Sequence, residues 1–289
     1  MNFRKTIPIA AGILASGLIS SCDFNEDFCI RPDELIAYCD FSNIKEEPPL
    51  PYLRHVIPFQ GNVSFNEGTT FTQDTLRWSI PQGEYSFFFY TGEYNIENLD
   101  NYHECMLRVK TDTIEGRAYI AEKQKYCCSA LFNEKLEYQK PKTVKVVPWS
   151  FVKKLNIRLQ VEGNTSPISS ITGELSGVST SRYLYSRETS GSAIVNEPFL
   201  KTGTSWESCA NSIYLFGLSP ADTNILKVIV KMDEDNQEFD EVQEIDLSGE
   251  LKSFTSDEIT LDITLHVGKE LILNKVTIID WEEQPETEL

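Results

Sequence analysis

The chain has 289 residues, enough for one or two domains, with 40% hydrophobic and 11% aromatic content and no excess of Gly or Pro. It carries 44 acidic against 26 basic residues, a formal charge of −18. Such a surface repels phosphate backbones and anionic headgroups, which argues against nucleic-acid binding and against electrostatic attachment to a membrane.

The first segment, residues 1–21, reads as a lipoprotein signal peptide. Arg4 and Lys5 form a positive start, and Ile7 to Ile19 is a short apolar run. That run falls below the ~20 apolar residues a spanning helix needs. It ends in Ile19-Ser20-Ser21-Cys22, an aliphatic residue and two small ones before a cysteine. This resembles the bacterial lipobox, in which the cysteine sulfur receives a diacylglycerol and becomes the first residue after cleavage. Cys22 is therefore the expected lipid-attachment site, and the membrane is reached through that lipid. An ordinary signal peptide, with Cys22 left as a thiol, is the alternative. Loss of Arg4 and Lys5 on cleavage takes the charge from −18 to −20.

Residues 22–33 are acidic and without periodicity, as befits a tether. Strand-like runs follow and no long helix interrupts them. Glu46 to Pro51 is a loop, because clustered prolines cannot supply ladder donors. Leu53–Phe59, Asp74–Ile80 and the aromatic Glu84–Thr91 are expected strands, with Pro81-Gln82-Gly83 as a tight turn between the last two. The polar patch Gln139-Lys140-Pro141-Lys142 reads as a boundary.

Beyond it the alternation is plain. Leu155, Ile157, Leu159 and Val161 share one face, opposite Asn156, Arg158, Gln160 and Glu162. Ile259 to Val267 and Leu226 to Met232 repeat the pattern. Alternation over this length indicates strands with one wet face. The expected fold is all-β: two tandem β-sandwiches over 34–140 and 141–289, the second ending in a short acidic tail.

Six cysteines follow Cys22: Cys29, Cys39, Cys105, Cys127, Cys128 and Cys209. Export permits disulfides, and one or two bridges among mostly buried thiols are expected, with the pairing left open. Adjacent Cys127 and Cys128 point to opposite faces of a strand and do not pair with each other. No metal site is expected. His103-x-Cys105 is the nearest approach to a ligand pair, and Asp233 to Glu241 resembles a calcium loop but places Glu238 where the turn needs glycine. A charged hairpin tip explains that run better. No elbow, P-loop or dinucleotide fingerprint occurs, so neither an enzyme nor a cofactor is expected. Among the four tryptophans, Trp206 stands in a polar, loop-like segment and is the candidate for ligand contact.

The order of several stretches resembles a family of fimbrillin-like lipoproteins of Gram-negative bacteria, related to the anchor and accessory subunits of lipoprotein-derived fimbriae. These stretches are Cys22-Asp23, Cys29 to Asp33, Ile80 to Tyr85, Leu155 to Glu162, Ile171 to Val178 and Asp280-Trp281-Glu282. The resemblance implies transthyretin-like sandwiches in an outer-membrane lipoprotein. It also implies fimbrial subunits as partners, joined by strand addition at an open sheet edge. Polymerising members are cut at a basic residue in the first domain, for which Arg54 and Arg77 qualify by position alone. An anchor or accessory role in a fimbria-like adhesive structure is the expected function. A surface protein that binds glycans through an aromatic platform around Trp206 is the alternative.

Overall fold

A computed structural model describes residues 34–44, 53–122, 125–234, 237–252, 256–268 and 271–279. Cys22, Cys29, the lipobox and Trp281 lie outside these residues. Strands dominate the described chain, and its one helix is the short turn Ser248–Leu251.

The first sandwich packs a three-stranded sheet on a larger one. In the smaller sheet Glu34–Cys39 is central, antiparallel to Thr75–Ser79 and parallel to Lys142–Val146. In the larger, Gly83–Thr91 lies between Cys128–Leu136 and Arg54–Gln60. The aromatic run in Gly83–Thr91 is explained by burial on both faces. Tyr85, Phe87 and Phe89 face the core shared with Leu35, Ala37 and Val146. Phe88 and Tyr90 face a second core with Tyr102, Leu107, Phe151 and Phe216. A strand covered on both sides needs apolar residues without alternation.

The second sandwich follows the alternation read in the sequence. Lys153–Gly163 is central in a five-stranded sheet, antiparallel to Ser208–Leu215 and parallel to Glu258–Val267. Its inward residues Leu155, Ile157, Leu159 and Val161 are all buried. They meet Ile171, Leu175, Val228 and Val230 of the facing six-stranded sheet. Removing each such side chain from water contributes about 2 kcal/mol, so this layer dominates the stability of the second half.

The boundary at 140/141 is corrected by the pairing. Lys142–Val146 joins the first sandwich beside Glu34–Cys39, and Trp149–Ser150 pairs with Cys128–Ser129. The polar patch is a tight turn that carries the chain from Cys128–Leu136 in the larger sheet to Lys142–Val146 in the smaller one: Lys140 N–H donates to the Glu137 carbonyl, and Gln139 has a φ of 55°. Turns and linkers share a composition, so the patch reads either way. The halves also exchange strands. The hairpin Thr111–Ile114/Arg117–Ile120 extends the six-stranded sheet through a parallel contact of Tyr119 with Ile194. In return, Ser181–Tyr183 pairs with Met106–Arg108.

The expected disulfides are likewise corrected for the described cysteines. Cys39, Cys105, Cys127, Cys128 and Cys209 are all free thiols. Cys127 points into one core of the first half and Cys128 into the other, as alternation requires.

Candidate adhesive surfaces

Trp206, expected on an exposed loop, is instead buried at 8% exposure against the second core, with the Lys201 ammonium 4.7 Å from its ring centre. The flanking residues Thr202 to Ser205 and Glu207 are exposed, so the polar loop folds its one large apolar side chain inward. An indole stabilises more by burial than any neighbour available, and the surrounding polarity hid that in the sequence. Trp206 therefore offers no platform to a ligand.

The other sequence candidates separate similarly. Arg54 lies inside a paired strand at 1% exposure, its guanidinium between the Phe41 and Phe71 rings at 5.3 and 5.8 Å. It donates to the Gln73 carbonyl and, at 2.6 Å, to Asp74 Oδ1. Arg77 is exposed but sits in the paired strand Thr75–Ser79, 3.5 Å from Glu34. Neither lies on the extended loop a protease must grip. His103 is exposed and packs edge-on against Tyr185 at 4.6 Å, whereas the Cys105 thiol is fully buried. Among the described residues no three His, Cys, Asp or Glu side chains converge to hold a metal. The acidic run from Asp233 belongs to the hairpin Ile225–Glu234/Gln237–Asp246, with exposed residues beside its tip.

A cationic seam, not foreseen in the sequence, joins the halves. The Arg187 guanidinium lies 3.9 Å from the centre of the Trp149 ring, and Arg182 lies 5.6 Å from it. Arg182 donates Nη1–H to the Phe151 carbonyl at 2.6 Å and Nε–H to the Arg187 carbonyl at 2.9 Å. Burial, then the neighbouring Arg187, pulls Arg182 down to about 10. Burial, then Arg182, pulls Lys153 down to about 8, and Asp257 offsets part of that. Trp149 is thus a docking plate for the Ser181–Ser190 turn, which its proximity in sequence to neither arginine would have revealed.

The sheet edges differ sharply in character. Gln237–Asp246 carries five acidic residues on ten positions. Leu271–Ile279, at the edge of the other sheet, reads LILNKVTII with Lys275 as its single charge. Ile272 on that strand is 52% exposed. An edge with few charges and no proline is a template for a further strand.

No protein-family model and no curated protein matches the chain. Solved structures do. The fimbrial anchor protein Mfa2 from Porphyromonas gingivalis superposes with a TM-score of 0.56 at 13% identity, over 86% of this chain and 98% of that one. The two chains share one fold. A candidate adhesin from Bacteroides ovatus has a TM-score of 0.54 at 15% identity, over 82% of this chain and 90% of that one. A candidate polysaccharide-binding protein from Bacteroides thetaiotaomicron has 0.55 at 10%, over 87% and 100%. All three match across both sandwiches, so the tandem arrangement itself is shared.

Proposed function

We infer that this chain is a surface adhesion protein, the anchor or an accessory subunit of a fimbria-like structure. It is held at the outer membrane by lipid on Cys22 and faces outward, and it acts by binding rather than catalysis. The observation that carries this reading is the fold shared with a fimbrial anchor over nearly the full length of both chains. Two features support it. Cys22 follows a short apolar run at the spacing of a lipobox, and acyl chains contribute about 0.8 kcal/mol per buried methylene to membrane attachment. Leu271–Ile279 offers main-chain donors and acceptors to an incoming strand.

The test joins attachment to partnership. Cys22→Ala should move the protein from the detergent phase to the aqueous phase, and pull-downs of the native protein from membrane extracts should recover fimbrial subunits. Recovery of none, with surface fibres unchanged when the chain is absent, would overturn the reading.

A further inference from the structure

A groove runs along the outer face of the six-stranded sheet, where the Thr111–Ile120 hairpin meets the second sandwich. Its volume is about 390 Å³, within the range of small-ligand clefts. The register fixes which side chains line it. Val195, Leu175 and Leu226 point into the core, so their chain neighbours Asn196, Glu174 and Lys227 point outward. Glu174 is paired in register with both Asn196 and Lys227. Tyr119 stands beside Ile194 on one side and directly opposite Asp112 on the other. The hairpin is set by a two-residue turn in which Glu115 and Gly116 both have positive φ, 51° and 78°.

The result is a groove lined by the half-buried Tyr119 ring together with Asp112, Asn196 and Glu174, whose carboxylate is 3.7 Å from the Lys227 ammonium outside the lining. These groups supply planar acceptors, donors and one apolar ring within a single cleft. A pyranose presents the complementary pattern: a C–H face that packs on an aromatic ring, and vicinal hydroxyls that both donate and accept. Asp112 and Glu174, set in a chain of charge −18, disfavour an anionic ligand. Among the described residues the two carboxylates belong to no cluster able to hold a metal.

The geometry points to this groove as a binding site for a neutral glycan chain, with Tyr119 as the stacking residue and Asp112, Asn196 and Glu174 as hydroxyl partners. The site lies away from Trp206 and from the Leu271–Ile279 edge, so it stands whether or not the chain joins a fimbria. One solved structure with this fold is described as a candidate polysaccharide-binding protein, which agrees with the ligand class.

Calorimetry of the full chain tests it, with neutral hexasaccharides of glucose, mannose, xylose and galactose and with hexagalacturonate as the anionic comparison. At least one neutral hexasaccharide should bind, unchanged by a chelator. Tyr119→Ala should weaken that binding at least about tenfold, or ~1.4 kcal/mol, with the melting temperature kept. Asn196→Ala, on the exposed rim, should weaken it without any effect on folding, and Tyr138→Ala, at an exposed tyrosine outside the groove, should leave it unaltered. The site is overturned if no neutral hexasaccharide binds, if binding survives both groove substitutions, if it needs a metal, or if hexagalacturonate binds more tightly. Loss of fimbrial partners with glycan binding intact would overturn the anchor reading and leave this one standing.

Discussion

The buried thiols predict a steep loss of stability in mild alkali. Cys105, Cys128 and Cys209 are fully buried, and burial pushes each from an ordinary value of 9.0 up to about 12. Cys127 is raised well above its ordinary value by burial and then by its neighbour Cys128. A group whose folded value is raised contributes stability that is complete below its unfolded value and is lost as pH climbs toward the folded one. The window is therefore pH 9 to about 12. At pH 10 the unfolded chain has released most of these protons and the native chain almost none. Cys105, Cys128 and Cys209 then each cost about 1.4 kcal/mol relative to pH 8, about 4 kcal/mol together, and Cys127 acts in the same direction. That sum approaches the whole stability of many domains. Urea unfolding under reductant at pH 7, 8, 9 and 10 measures the loss. Cys209→Ala isolates one thiol: its cavity cost is the same at every pH, while its stability should fall about 1.4 kcal/mol less than the native chain's between pH 8 and 10. Parallel pH profiles for the two proteins would refute the reasoning.

Two further predictions concern the first sandwich and the seam. Lys153→Met should stabilise the chain at pH 7, because Lys153 is held down to about 8 by burial and Arg182, and its charging opposes folding below that pH. The variant's advantage should shrink as pH rises from about 8 toward 10.5, read from the same unfolding curves; an advantage that does not vary with pH would count against the seam as described. Arg54→Met should cost about 2 kcal/mol, the worth of charged hydrogen bonds lost to Gln73 and Asp74. The native chain should also resist trypsin at Arg54, and a peptide ending there before global unfolding would contradict its burial.

How much was legible follows from which contacts are local. The Lys153–Gly163 and Glu258–Val267 strands were readable because each has one wet face, so alternation survives in the sequence. The Tyr85 to Tyr90 run was readable as a strand, but not as one covered twice, since two different cores produce the same continuous apolar string. The 140/141 boundary failed because a tight turn between two packed sheets and a linker draw on the same residues. Trp206 failed for a related reason: loop polarity describes the neighbours of a side chain, not the direction in which it points. The groove and the cationic seam were out of reach for another reason. They depend on Tyr119 meeting Ile194 and on Arg187 meeting Trp149, pairings that loop closure over long separations creates and no periodicity announces.

Charge places the remaining prediction. The acidic strand Gln237–Asp246 and the apolar-rich Leu271–Ile279 lie near each other at the edges of facing sheets, yet they form no ladder. Carboxylates on the first repel a second acidic strand, and in a chain of charge −18 that guards against pairing between copies. The same carboxylates favour a basic strand arriving at Leu271–Ile279, where main-chain bonding supplies affinity and charge supplies selection. Partner capture at this edge should therefore weaken as ionic strength rises from about 0.05 to 0.5 M, because the Debye length falls from roughly 14 to 4 Å. Ile272→Lys, at a solvent-facing position, should weaken it further while leaving the fold intact. Surface plasmon resonance with a recovered partner reads both effects. Capture that is indifferent to salt and to Ile272→Lys would move the binding edge elsewhere on the molecule.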